Sequence, residues 1–62
     1  MDAIEAMMRL VEAGVKNVVL DSRAEAKWMV VHEDDDRVVV VLRVDAEFTE
    51  DEVRRMVLAS RR

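Results

Sequence analysis

Between two runs rich in β-branched residues, Val15 to Leu20 and Val38 to Val44, the chain alternates: Ala24, Ala26, Trp28 and Val30 fall on one side of an extended backbone, Arg23, Glu25 and Lys27 on the other. A period of two is the mark of a half-buried strand. Wound as a helix, the segment from Arg23 to Glu33 puts Ala24, Trp28 and Val31 on one side and scatters Ala26, Met29 and Val30 over the rest, so no apolar stripe forms. Ser22 and Glu25 do offer a capping box for such a helix. A helical middle, however, leaves only two parallel strands, and parallel sheets are stable when both faces are covered, which 62 residues cannot supply alone. The segment is therefore read as a strand. The fold expected is a two-layer α+β domain of order α-β-β-β-α, a three-stranded antiparallel meander flanked by N- and C-terminal helices. The competing fold is α/β, ordered α-β-α-β-α with parallel strands.

The two ends carry helix signals. Asp2 can cap a helix with Glu5 three residues on, and Ile4, Met7, Met8 and Val11 recur at helical spacing. Gly14 then supplies a left-handed stop, with Val15 set against Leu10 as in a Schellman motif, so a helix is predicted over residues 2–13. Near the other end Thr49 is an N-cap, Glu52 completes its box, and Phe48 can staple onto Val53. Val53, Met56 and Val57 form the buried stripe of a helix over about residues 50–60.

Charge suggests the strand register. A three-residue loop, Asp34-Asp35-Asp36, sets Glu33 opposite Arg37, Val31 opposite Val39 and Met29 opposite Val41, with Trp28 against Leu42 and Val30 against Val40. A five-residue loop from Ser22 to Ala26 would likewise pair Asp21 with Lys27, Leu20 with Trp28 and Val18 with Val30. The even-numbered face, Val18, Leu20, Trp28, Val30, Val40, Leu42 and Val44, is then the one the helices cover. The odd-numbered face holds Val19, Met29, Val31, Val39 and Val41 inside a rim of Asp21, Lys27, Glu33, Arg37 and Arg43. An apolar centre within a charged rim has the anatomy of an interface.

Composition narrows the function classes. A single small domain over residues 1–62, with no cysteine to staple it, has a marginal core, and self-association is the expected remedy. The longest apolar run, Val38 to Leu42, falls far short of the roughly 20 residues that span a bilayer. No signal peptide or membrane helix is expected. Lack of cysteine suits a reducing, cytoplasmic setting. A natural domain and a designed one would share this composition. Hydroxyl nucleophiles are limited to Ser22, Ser60 and Thr49, and His32 is the one imidazole, so no catalytic dyad or triad, cofactor or enzyme activity is expected.

The stretches AGVKNVVLDSRAEA, from Ala13 to Ala26, and VVVVLRV, from Val38 to Val44, resemble a βαβ step of the barrel domain in pyridoxal-phosphate-dependent ornithine and diaminopimelate decarboxylases. The resemblance covers about half the chain. It implies a helical middle and places Arg43 near a cofactor. The cofactor lysine and glycine-rich phosphate loop have no counterpart, so cofactor binding does not carry over. In that topology Asp21-Ser22-Arg23, Arg43, Asp45 and Thr49 share one edge, where two helix N-termini would suit a small anion.

Other chemistry is sparse. Glu33 to Asp36 beside His32 is a carboxylate run, but a calcium loop needs spaced ligands and a glycine, so a solvated turn is expected. His32 is a pH-sensitive contact or, more simply, a partly exposed spacer. Arg54, Arg55, Arg61 and Arg62 make the last helix locally basic, which offers nucleic-acid binding as an alternative. A net charge of −4 and the absence of aromatic side chains beside those arginines argue against it. The acidic residues Glu33 to Asp36, Asp45, Glu47 and Glu50 to Glu52 would also suit a phosphate-mimicking inhibitor. The leading expectation is a non-catalytic interaction module or scaffold that self-associates as a homodimer through the sheet, by its uncovered face at Val19, Met29, Val31, Val39 and Val41 or by a Val-rich edge strand.

Overall fold

A computed structural model describes residues 1–61, so Arg62 lies outside the described residues. The chain runs α1 (Ala3–Glu12), β1 (Val18–Leu20), β2 (Trp28–His32), β3 (Val38–Leu42) and α2 (Glu50–Ser60). This is a small α+β fold, and the α-β-β-β-α order is the one expected.

Local chemistry sets the helix ends. Asp2 Oδ1 accepts the Glu5 N–H at 2.8 Å, while the Glu5 carboxylate turns to Arg9. Gly14, at φ 99°, ends α1. The Gly14 N–H donates to Val11 O at 3.0 Å and the Val15 N–H to Leu10 O at 2.9 Å, the paired bonds of a Schellman stop. At α2 the capping box is complete: Glu52 N–H donates to Thr49 Oγ1 at 3.1 Å, and Thr49 N–H to Glu52 Oε1 at 2.9 Å. Phe48 and Val53 are both buried in the core beneath that cap.

The middle segment is only partly the strand expected of it. Residues 23–27 are bends and turn, and the strand is confined to Trp28–His32. No helix forms there, so the α/β alternative and the βαβ step implied by the decarboxylase resemblance are both set aside.

Strand pairing differs from the meander. The sheet order is β1-β3-β2: β3 lies in the centre, antiparallel to β2 and parallel to β1. The hairpin register is the one derived from charge, with Trp28 on Leu42, Met29 on Val41, Val30 on Val40 and Val31 on Val39. The pairing of β1 with β2 is replaced by Val18 on Val40, Val19 on Val41 and Leu20 on Leu42. Two causes act together. The run Val38–Leu42 is apolar on both faces and gains most from the central place, and residues 21–27 are long enough to cross one strand, a span of about 9.6 Å. The Asp21–Lys27 charge pairing gives way as well: Asp21 accepts the Arg23 N–H, and Lys27 reaches Glu52.

Both helices cover the even-numbered face. Val40 and Leu42 are fully buried there with Leu10 and Met56, and Val18, Leu20, Trp28 and Val30 pack around them. Val44 departs from this expectation, because the strand stops at Leu42 and Val44 lies exposed in the following turn. The buried strip of α1 is Ala3, Ala6 and Leu10, so of the apolar residues expected inside, Ile4, Met8 and Val11 are exposed and Met7 is half-buried. Small alanines let the helix approach the sheet closely. Phe48 and Met1 exchange backbone hydrogen bonds, the Phe48 N–H donating to Met1 O at 2.7 Å, which ties the start of α1 to the segment leading into α2.

Candidate interaction surface

With both helices on one side, the other face of the sheet has no covering layer among the described residues. Its side chains come from alternate positions of three strands: Val19 from β1, Val39 and Val41 from β3, Met29 and Val31 from β2. Register brings Met29 and Val19 to either side of Val41, and Val31 beside Val39, so all five adjoin. Val19 and Met29, on the edge strands, are each 47% exposed, and Val31, Val39 and Val41 are half-buried by their neighbours.

Of the charged rim expected around this face, Glu33, Arg37 and Arg43 carry local pairs, whereas Lys27 turns instead to α2 on the helix-covered side. Glu33 and Arg37 face each other across the hairpin at 3.7 Å, with Glu33 N–H donating to Arg37 O at 2.9 Å. Arg43 Nε donates to Asp45 at 2.9 Å and its guanidinium lies 3.5 Å from Glu25 O, holding the crossover under the end of β3. Lys27 lies 2.9 Å from Glu52 and 5.3 Å from the Phe48 ring centroid. The bonds from Lys27 and from the Thr49 backbone hold the Glu52 carboxyl below its usual range, against an opposing effect of desolvation.

The other sequence candidates are placed as follows. Arg54 and Arg55 both turn to Asp51, at 3.4 and 2.8 Å, and Arg61 donates to Ala13 O at 3.4 Å. The last residue of that basic set, Arg62, is outside the described residues. Of the acidic residues, Glu50 pairs with Arg9 at 3.0 Å and Asp51 with its two arginines. In the acidic loop Asp34 Oδ1 accepts the Asp36 N–H at 3.0 Å, closing a turn, and no three His, Cys, Asp or Glu side chains gather to hold a metal among the described residues.

The small-anion arrangement needed a third helix that is not formed, and the N-termini of α1 and α2 are capped by Asp2 and by the Thr49–Glu52 box. His32 is exposed, and its Nε2 lies 3.1 Å from Ala59 O, where a ring N–H supports the end of α2. Sequence reasoning missed this contact. An open cleft of about 210 Å³ is lined by Gly14, Lys16, Asp36, Ser60 and Arg61, and the Ser60 hydroxyl there donates to Val57 O at 2.7 Å. No described helix is long and apolar enough to cross a membrane. Compared with known proteins, the chain matches no family model, no curated protein and no solved structure.

Proposed function

We propose that this chain is a non-catalytic interaction module or scaffold of the cytoplasm, and that it self-associates through its uncovered sheet face. One observation supports the reading above others: Val19, Met29, Val31, Val39 and Val41 form a contiguous apolar field over which nothing among the described residues packs, on a domain whose core is small. Isolated exposed apolar residues are ordinary, but a contiguous field ringed by charge is what interfaces use. Burying it removes apolar surface from water at about 25 cal/mol per Å². A protein partner of complementary apolar shape would use the same field.

Light scattering at high micromolar concentration tests this. The native chain is expected to exceed the 7.2 kDa of one copy, and Met29→Lys, which sets a charge within the field beside Val41, is expected to lower the mass. A monodisperse 7.2 kDa species for the native chain would defeat self-association.

A further inference from the structure

The sheet ends at β1, and the side of the molecule built on that edge is open in two ways. Val40 N–H donates to Asn17 O and Asp21 N–H to Leu42 O, both at 2.9 Å. Residues 17, 19 and 21 therefore direct their backbone groups to β3, and by alternation the N–H and C=O of Val18 and Leu20 point away from the sheet. No strand pairs with that edge among the described residues.

Above the edge lies α1. Arg9, on one side of its buried Ala3–Ala6–Leu10 strip, reaches Glu50 of α2 at 3.0 Å. At about 100° per residue, Val11 and Ile4 fall on the opposite side of that strip, on the flank turned away from α2, and Met8 adjoins them on the outer, solvent-facing edge of the helix. Ile4, Met8 and Val11 are 57%, 57% and 56% exposed. The far side of the molecule is different in kind: along β2 the flank carries the Lys27–Glu52 and Arg37–Glu33 pairs and the His32 contact to α2.

We propose that a second copy of this chain docks on the β1 edge. The two β1 strands pair antiparallel about a two-fold axis at Val19, and the Ile4–Met8–Val11 flanks of the two α1 helices pack together above them. This surface is separate from the sheet face and does not rest on it. With Val19 opposite its own copy, Val18 falls opposite Leu20 of the second copy, so the outward groups of each strand meet as hydrogen-bonded pairs. Charge selects the same direction, because the edge runs from Lys16 to Asp21 and antiparallel pairing sets each basic end near an acidic one. A stable dimer takes about 800 Å² from each partner, nearly a fifth of the 4355 Å² exposed by one chain. The interface has to be a whole side of the molecule, and this side is open in both layers. The result is a closed two-fold contact and a continuous six-stranded sheet.

Sedimentation equilibrium of the full chain, Met8→Lys, Met29→Lys and the double variant tests the contact, with circular dichroism checking that each is folded. If both surfaces act, the native chain holds four copies, each single variant two, and the double variant one. Loss of mass in Met8→Lys alone keeps the β1 contact and removes the sheet-face reading; loss in Met29→Lys alone does the reverse. An unchanged mass in Met8→Lys, or a native chain that sediments as one copy, overturns the proposal. Should Met8→Lys fail to fold, Val18→Pro deletes an outward N–H that an edge strand can spare and is expected to give the same loss. Hydrogen exchange supplies the second readout: the Val18 and Leu20 amides are expected to be protected in the native assembly and to exchange rapidly in Met8→Lys, and rapid exchange in both would count equally against it.

Discussion

Lys27 Nζ lies 2.9 Å from Glu52 Oε1, the same oxygen that accepts the Thr49 N–H. One carboxylate thus closes the α2 capping box and anchors the end of the crossover between β1 and β2, two segments 25 residues apart. Each half is modest alone, because the Lys27 side chain is well exposed and solvent screens the pair.

Replacing Glu52 by Gln keeps an oxygen able to accept the Thr49 N–H and removes only the charge, so it is expected to cost about 0.5–1 kcal/mol near neutral pH, from the Lys27 pair and the helix dipole. The pH dependence follows from the lowered carboxyl. A group whose folded pKa lies below its unfolded value contributes stability above the unfolded value and loses it as pH falls through the folded one. Urea unfolding of native and Glu52→Gln chains should show a gap at about pH 7 that closes as the solution is acidified below the usual carboxylate range. A gap that persists in acid would assign the loss to packing.

Gly14 holds φ at 99°, and a Cβ added there would meet nothing within 4 Å. The cost of Gly14→Ala is therefore backbone strain alone, about 1–2 kcal/mol, or roughly 5–15 °C in Tm for a domain of this size. Gly14→Asn, which tolerates the left-handed region better, is expected to recover part of that loss. Equal losses in thermal melts of the two would point to a steric cause.

Leu10 is fully buried whereas Met8, two residues away, is 57% exposed. Truncating Leu10 to Ala should cost about 2–5 kcal/mol, a large part of the stability of a 62-residue chain. Met8→Ala should change the stability of the dilute, dissociated chain by no more than about 0.5 kcal/mol. Denaturant titrations at low protein concentration compare them, and a costly Met8→Ala there would place Met8 in the core.

These residues also mark what the sequence could reveal. The Gly14 stop, the Thr49–Glu52 box and the Glu33–Arg37 hairpin are decided by chemistry within a few residues, and they are legible. The buried strip of α1 is not, because two apolar strips share that helix and bulk favours Ile4, Met8 and Val11. Close packing instead selects the small Ala3 and Ala6. The place of β1 is hidden for another reason: pairing with β2 and pairing with β3 keep the same residues on the same face, so the alternation is silent between them. For that reason the field from Val19 to Val41 was legible although the strand order was not.

The strand order itself can be tested by cross-linking, because the chain has no native cysteine. In the observed sheet Val19 is opposite Val41, in the adjacent strand. A meander in the register suggested by charge would instead set Val19 opposite Met29, which here lies across β3. Neighbouring strands are about 4.8 Å apart, within disulfide reach, and alternate strands about 9.6 Å apart, beyond it. Val19→Cys with Val41→Cys is expected to oxidise within one chain, and Val19→Cys with Met29→Cys is not. Both pairs lie on the sheet face, so the oxidation belongs at dilute concentration, with intact mass separating links within a chain from links between chains. Efficient closure of the second pair within one chain would place β2 rather than β3 beside β1 and restore the meander order, with β1 still at an edge.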